Sequence, residues 1–109
     1  MPNLFVYGSL KSLRLLARLI GRVPASMPAE LKGYVKQRLE GSRYPIAVRN
    51  PSSTIKGLLL LDLTDEELEV LDQYEDLPHG PYVRVQEVVH TPHGPKLAYV
   101  YVARGNVKQ

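Results

Sequence analysis

Apolar residues recur along this chain in two rhythms, and each change of rhythm falls at a turn signal. Phe5-Val6 is an apolar strand that breaks at Tyr7-Gly8-Ser9-Leu10 into a small, glycine-bearing turn. Leu13, Leu16, Ala17 and Ile20 then follow at helical spacing, so the turn joins a buried strand to a helix. Residues 29–39 alternate loosely, as an extended and twisted strand does, until Gly41-Ser42-Arg43-Tyr44-Pro45 interrupts them. Ile46-Ala47-Val48 is short and apolar, and Asn50-Pro51-Ser52-Ser53 is the clearest turn signal in the chain. The apolar run over 55–63 has few polar interruptions, which predicts a strand covered on both faces.

Thr64 opens a second helix. Its hydroxyl can cap the first turn while Glu67, three residues on, reaches back to the Thr64 N–H. Asp65, Glu66 and Glu67 add negative charge where the helix dipole favours it. Leu68, Leu71 and Glu75 fall on one stripe, whereas Glu66, Glu69 and Gln73 point elsewhere. Leu77-Pro78-His79-Gly80-Pro81 ends the helix, and the alternating runs 82–90 and 96–103 form a hairpin around Thr91-Pro92-His93-Gly94-Pro95. The sum is an α+β domain spanning 1–109, with two main helices and a small mixed or barrel-like sheet of about six strands.

Composition narrows the chemistry. A chain of 109 residues with 44% apolar content has the size of one compact domain. It has no cysteine, which rules out disulfides, thiolate metal sites and cysteine nucleophiles and makes the cytoplasm the expected compartment. The first residues read as a strand rather than as a basic stretch leading to a cleavage site, so no secretory signal is expected. The apolar run 57–61 is far shorter than the roughly 20 residues of a membrane span. A formal charge of +3 does not indicate nucleic-acid binding, and Lys11, Arg14, Arg18 and Arg22 read as the solvated side of the first helix. Nothing in the pattern decides the oligomeric state.

Glu75 is the sharpest chemical candidate. A carboxylate facing inward at a helix C-terminus is desolvated and feels the negative end of the dipole, and both effects raise its pKa toward the range of a general acid/base. The alternative is an ordinary ion pair with Arg84 or another arginine. Backbone N–H groups of the Tyr7, Gly8, Ser9, Leu10 turn make it a candidate anion seat. Ser9 lacks the flanking glycines of a nucleophile elbow, since Tyr7 and Lys11 stand there, so it reads as a ligand-binding group or as the cap of the following helix. His79, His90 and His93 lie in or beside loops without the helical spacing of a zinc site. Tyr7, Tyr74, Tyr82, Tyr99 and Tyr101 read mostly as half-buried rings, one or two of which can offer a hydroxyl to a pocket.

Phe5-Val6-Tyr7-Gly8-Ser9-Leu10, Tyr44-Pro45, Lys56-Gly57-Leu58-Leu59-Leu60, Leu71-Asp72-Gln73-Tyr74-Glu75, Tyr82-Val83-Arg84 and Ala98-Tyr99-Val100-Tyr101-Val102 together resemble the gamma-glutamylcyclotransferase-like family over nearly the whole chain. The resemblance implies that family's fold and a cofactor-independent, metal-free conversion of a γ-glutamyl amine or γ-glutamyl amino acid to 5-oxoproline and the free amine. It implies Glu75 as catalytic acid/base, with Tyr7, Gly8, Ser9 and Leu10 holding the γ-glutamyl group and Tyr82 beside it. The partner it implies is a small molecule, not a nucleic acid or a membrane. The chain departs from the pattern at Asp76, where many members carry Gly. A second carboxylate there is expected to raise the Glu75 pKa further or to alter the loop that follows. The competing reading is a non-catalytic module that keeps the pocket without turnover.

Overall fold

All three residues of strand β1 (Leu4–Val6) are buried, because its two faces meet two different cores. Phe5 points inward with Leu31, Ile55, Leu59, Val89 and Val100, while Leu4 and Val6 point outward against Leu16, Leu60, Leu63, Leu68 and Leu71. The first cluster fills a small barrel and the second lies between the barrel and its helices. In this computed structural model, which describes residues 1–38, 45–77 and 80–105, β1 is followed by a 3-10 turn (Ser9–Lys11), α1 (Leu13–Ile20), β2 (Ser26–Arg38), β3 (Pro45–Leu60), α2 (Asp65–Tyr74), β4 (Tyr82–Thr91) and β5 (Gly94–Ala103).

The strands close in the order β1-β3-β2-β4-β5. β5 returns to lie parallel to β1, with Leu4 opposite Tyr99 and Phe5 opposite Val100. The remaining neighbours are antiparallel, and β2 meets β4 through the single pair Glu30 and His90. That one pair closes the ring of strands. The expected α+β barrel with two helices is what forms.

The described residues form five strands, close to the expected six, and the difference lies at Asn50-Pro51-Ser52-Ser53. The local turn chemistry is present, since the Asn50 side chain accepts hydrogen bonds from Ser52 N and Ser52 Oγ at 3.2 and 3.0 Å. It does not separate two strands. β2 pairs on both sides of it, Lys32 with Thr54 and Tyr34 with Arg49, so residues 50–53 bulge out opposite Gly33 and β3 continues. Gly33 has φ +88, a backbone most side chains resist. The apolar run predicted to reach residue 63 leaves the ladder at Leu60, and the expected double covering holds there: Leu59 faces the barrel while Leu60 and the half-buried Leu58 face the helices.

α1 is capped by Ser12, whose hydroxyl accepts from Leu15 N at 3.2 Å, and ends at Gly21 in a left-handed conformation. Leu16 is its buried residue, with Leu15, Leu19 and Ile20 half-buried beside it; Leu13, expected on that stripe, is 46% exposed. Lys11, Arg14, Arg18 and Arg22 are all exposed, as expected of the solvated face. α2 begins with the full capping box of Thr64 and Glu67. Arg22 ties the two helices together by gripping the Glu67 carboxylate at 2.6 and 2.7 Å. Among the described residues, no helix is long and apolar enough to cross a membrane. The predicted break at 41–44 and the helix-ending Pro78 and His79 lie outside the described residues, as does Tyr44.

Candidate active site

One end of the barrel carries a cavity of about 290 Å3 between the β1 turn and the C-terminal end of α2. Tyr7, Gly8, Ser9, Leu10, Glu75 and Tyr82, the residues singled out by sequence, all line it. Tyr74, Asp76 and Tyr101 line it too, together with Phe5, Val6 and the prolines 45 and 81. The β1 turn and Glu75 lie more than sixty residues apart in sequence, and a direct bond joins their segments: Ser9 Oγ and the Tyr74 hydroxyl are 3.1 Å apart.

Glu75 is the C-cap of α2, its N–H donating to the Leu71 carbonyl at 3.0 Å. The stripe that buries Leu68 and Leu71 carries its side chain inward, and burial pushes its pKa up to about 7. Of the two effects expected of Asp76, a further rise in this pKa has no part in the shift, whose cause is burial; the Asp76 side chain is exposed. Among the described residues the Glu75 carboxylate has no hydrogen bond or ion pair. The alternative pairing with Arg84 does not form either, because Arg84 lies 3.4 Å from Asp72 Oδ2 and over the Tyr99 ring, 4.5 Å from its centroid. Asp76 has φ +62, the left-handed region that Gly enters without cost and that Asp tolerates better than most residues. The departure from Gly at this position therefore keeps a turn that Gly would make and adds an exposed carboxylate at the cavity.

The β1 turn winds into the 3-10 segment, with Lys11 N bonded to the Gly8 carbonyl and Ser12 N to the Ser9 carbonyl, each at 3.0 Å. The N–H groups of Gly8, Ser9 and Leu10 stand at its open start and have no acceptor among the described residues, as at any helix N-terminus. Ser9 caps no helix; its hydroxyl goes to Tyr74, and Ser12 takes the capping role. Among the described residues the partner of the Ser9 hydroxyl is the Tyr74 hydroxyl and not a base.

Three tyrosines frame the cavity by bonding across the barrel. The Tyr7 hydroxyl donates to the Tyr101 carbonyl and accepts from Ala47 N at 3.0 Å. Tyr82 donates to the Pro45 carbonyl at 2.7 Å, and Tyr101 to Asp72 Oδ1 at 2.6 Å. Burial raises the Tyr7 and Tyr101 hydroxyls well above the ordinary phenol range, and the nearby Glu75 charge raises both further. Both phenols are thus neutral donors at any physiological pH. Sequence reasoning counted Tyr74 and Tyr101 among the tyrosines without assigning them to the cavity. Tyr74 lies at the end of α2 and Tyr101 on β5, so they share a cavity only once the helix docks against the barrel.

His90 and His93 are exposed, and His79 lies outside the described residues. Among the described residues no three His, Asp or Glu side chains converge as metal ligands.

Comparison with known proteins gives a consistent picture. The model of the family "Gamma-glutamyl cyclotransferase, AIG2-like" matches residues 4–109. AIG2-like protein C of Arabidopsis thaliana is 38% identical over 77 residues, 71% of this chain and 45% of its own length. A Methanocaldococcus jannaschii protein named gamma-glutamylcyclotransferase and putative RNase is 37% identical over 103 residues, 94% of this chain and 46% of its own length. The chain thus spans about half the length of these curated relatives. An Arabidopsis thaliana protein solved in solution superposes with a TM-score of 0.85 at 28% identity, covering 96% of this chain and 70% of that one. A structure titled gamma-glutamyl cyclotransferase shares the fold, with a TM-score of 0.74 at 16% identity over 94% of this chain and 66% of its own.

Proposed function

Because the chain belongs to the gamma-glutamyl cyclotransferase, AIG2-like family, we propose that it converts a γ-glutamyl amine or γ-glutamyl amino acid to 5-oxoproline and the free amine, with Glu75 as general acid/base. The observation that carries this reading is a half-buried carboxylate without a protein partner among the described residues, its pKa raised to about 7, in the same cavity as the β1 turn.

The chemistry asks little of the protein beyond position and one proton carrier. The substrate's α-ammonium gives a proton to Glu75, and the resulting amine attacks the γ-carbonyl carbon. A ring C–N bond forms, Glu75 returns the proton to the departing nitrogen as the γ C–N bond breaks, and the freed carboxylate takes the second proton of the ring nitrogen, which leaves on the amine as its ammonium. Atoms balance without water, cofactor or a covalent intermediate on the enzyme. A carboxylate tuned near neutrality suits both halves of that transfer, a role worth roughly 10²–10⁴-fold in rate. Holding the chain in a five-membered-ring geometry supplies much of the remainder. The N–H groups of Gly8, Ser9 and Leu10 are the donors available for the α-carboxylate or for the oxyanion that develops at the γ-carbon. Tyr7 and Tyr82 shape the walls, their hydroxyls engaged with the protein.

A panel of γ-glutamyl amines and γ-glutamyl dipeptides, assayed for 5-oxoproline, tests this reading. Turnover that falls by roughly 10²-fold or more in Glu75→Gln supports it. No turnover on any of them, or equal turnover in the variant, overturns it.

A further inference from the structure

Asp72 is one helical turn before Glu75 and uses both carboxylate oxygens. Oδ1 accepts the Tyr101 hydroxyl at 2.6 Å, and Oδ2 faces Arg84 at 3.4 Å. Arg84 is held in turn over the Tyr99 ring, its guanidinium carbon 4.5 Å from the centroid. This chain of contacts starts in an outer groove of about 680 Å3, lined by Asp72, Arg84 and Tyr99, and ends at Tyr101, which lines the cavity that holds Glu75.

A phenol has one proton, and where it goes decides what its oxygen offers. A carboxylate in an ion pair only accepts, so the Tyr101 proton is committed to Asp72 and the Tyr101 oxygen can only accept from anything else. The Tyr7 and Tyr82 protons are likewise spent on backbone carbonyls. The tyrosine hydroxyls on the barrel side of the cavity therefore bring no donor to a ligand, and beside them stands the Glu75 carboxylate, another acceptor. The donors lie on the other side, in the N–H groups of Gly8, Ser9 and Leu10. A ligand that fits both sides carries an anionic group at one end and a proton-rich cation near Glu75.

We propose that Asp72 is a positioning residue which, braced by Arg84, fixes the Tyr101 hydroxyl as an acceptor for the substrate's α-ammonium. This rests on the γ-glutamyl reading of the cavity and deepens it. The ammonium is held between Tyr101 and Glu75, so its proton is delivered along a set direction to the carboxylate that takes it. Asp72 touches neither substrate nor reacting atoms; it acts through Tyr101.

The test compares binding, by calorimetry, of L-2-amino-4-(pentanoylamino)butanoate, a reversed-amide analogue of γ-glutamyl-butylamide that cannot close the lactam, and of 4-(pentanoylamino)butanoate, which lacks the α-amine. The expected result is that wild type prefers the amine-bearing ligand, and that the preference falls about tenfold in Asp72→Asn, whose amide can donate to Tyr101 and turn its proton toward the cavity. Affinity for the deaminated ligand stays at the wild-type value, which a general loosening of the site would not allow. Tyr101→Phe, which removes the acceptor without touching the ion pair, loses the same preference and carries the test where Asp72→Asn does not fold. An unchanged preference in folded Asp72→Asn and in Tyr101→Phe, with wild type still forming 5-oxoproline, overturns the role of Asp72 alone. Wild type that binds neither ligand and turns over no γ-glutamyl compound overturns the functional reading and this role with it.

Discussion

Gly8 lies against Pro45 so closely that a Cβ on it would stand 3.3 Å from the Pro45 Cγ. The contact joins the β1 turn to the first residue of β3, and both residues line the cavity. Gly8→Ala is expected to push the two apart by a few tenths of an ångström. Overpacking of that size costs about 1 kcal/mol in stability, but it also shifts the N–H groups proposed to hold the substrate. Urea melts and KM measured on the same γ-glutamyl substrate separate the effects: a small loss of stability should accompany a several-fold rise in KM.

The pH dependence of turnover follows from Glu75. Its pKa of about 7 means that the proton-accepting form appears only as pH rises through neutrality. A profile of kcat/KM between pH 5 and 9 is expected to rise with a midpoint near that value and to level off above it. An ordinary exposed glutamate would already be mostly ionised at pH 5 and would show no midpoint in this range. Glu75→Gln should leave a flat residual rate with no such limb.

The features legible in the sequence are those set within a few residues. The Thr64 and Glu67 capping box and the inward turn of Glu75 each follow from helical spacing, and the structure keeps both. What needed the assembled barrel was not legible. Asn50 and Ser52 do form a local turn, yet β2, a separate strand, decides whether the chain around them stays paired. Ser9 was offered as the cap of α1, yet Ser12 takes that place because a 3-10 turn is inserted first, and Ser9 goes to Tyr74 across sixty-five residues of sequence. Arg84 chose Asp72 over Glu75 through the placement of β4 against α2, which no spacing within either element encodes.

Gly33 makes the single residue on β2 that answers the bulge of residues 50–53. Its φ of +88 is open to Gly and costly for Ala, although nothing crowds the added methyl within 4 Å. Gly33→Ala should therefore destabilise by about 1–2 kcal/mol through backbone strain alone. The cavity lies elsewhere and excludes Gly33, so kcat and KM should stay at wild-type values wherever the variant is folded.

Glu67 behaves oppositely to Glu75. Its hydrogen bonds from Arg22, reinforced by Thr64 N, hold its pKa down at about 2, below the unfolded value of about 4.5. A depressed carboxylate contributes stability above the unfolded pKa and loses it as pH falls from 4.5 through 2. Glu67→Gln should lower the melting temperature at pH 7 and converge on wild type near pH 2. Thermal melts across that window, at low salt where the ion pair is least screened, check the convergence.

Glu75 itself should destabilise the protein it serves. Its folded pKa of about 7 lies above the unfolded value of 4.5, so between those values the folded state holds a proton that the unfolded state has released. Stability therefore falls as pH rises from about 4.5 to about 7 and is constant, on this account, above and below. The full difference corresponds to about 3 kcal/mol, an upper figure for a side chain that keeps some contact with water. Glu75→Gln keeps the shape without the charge, so it should be more stable than wild type at pH 8 and nearly equal to it at pH 4. The same substitution should abolish most 5-oxoproline formation at pH 8. A variant that gains melting temperature while losing turnover, with the gain vanishing in acid, is the signature of a buried carboxylate retained for proton transfer; a loss of stability at pH 8 would mean that Glu75 holds the fold together instead.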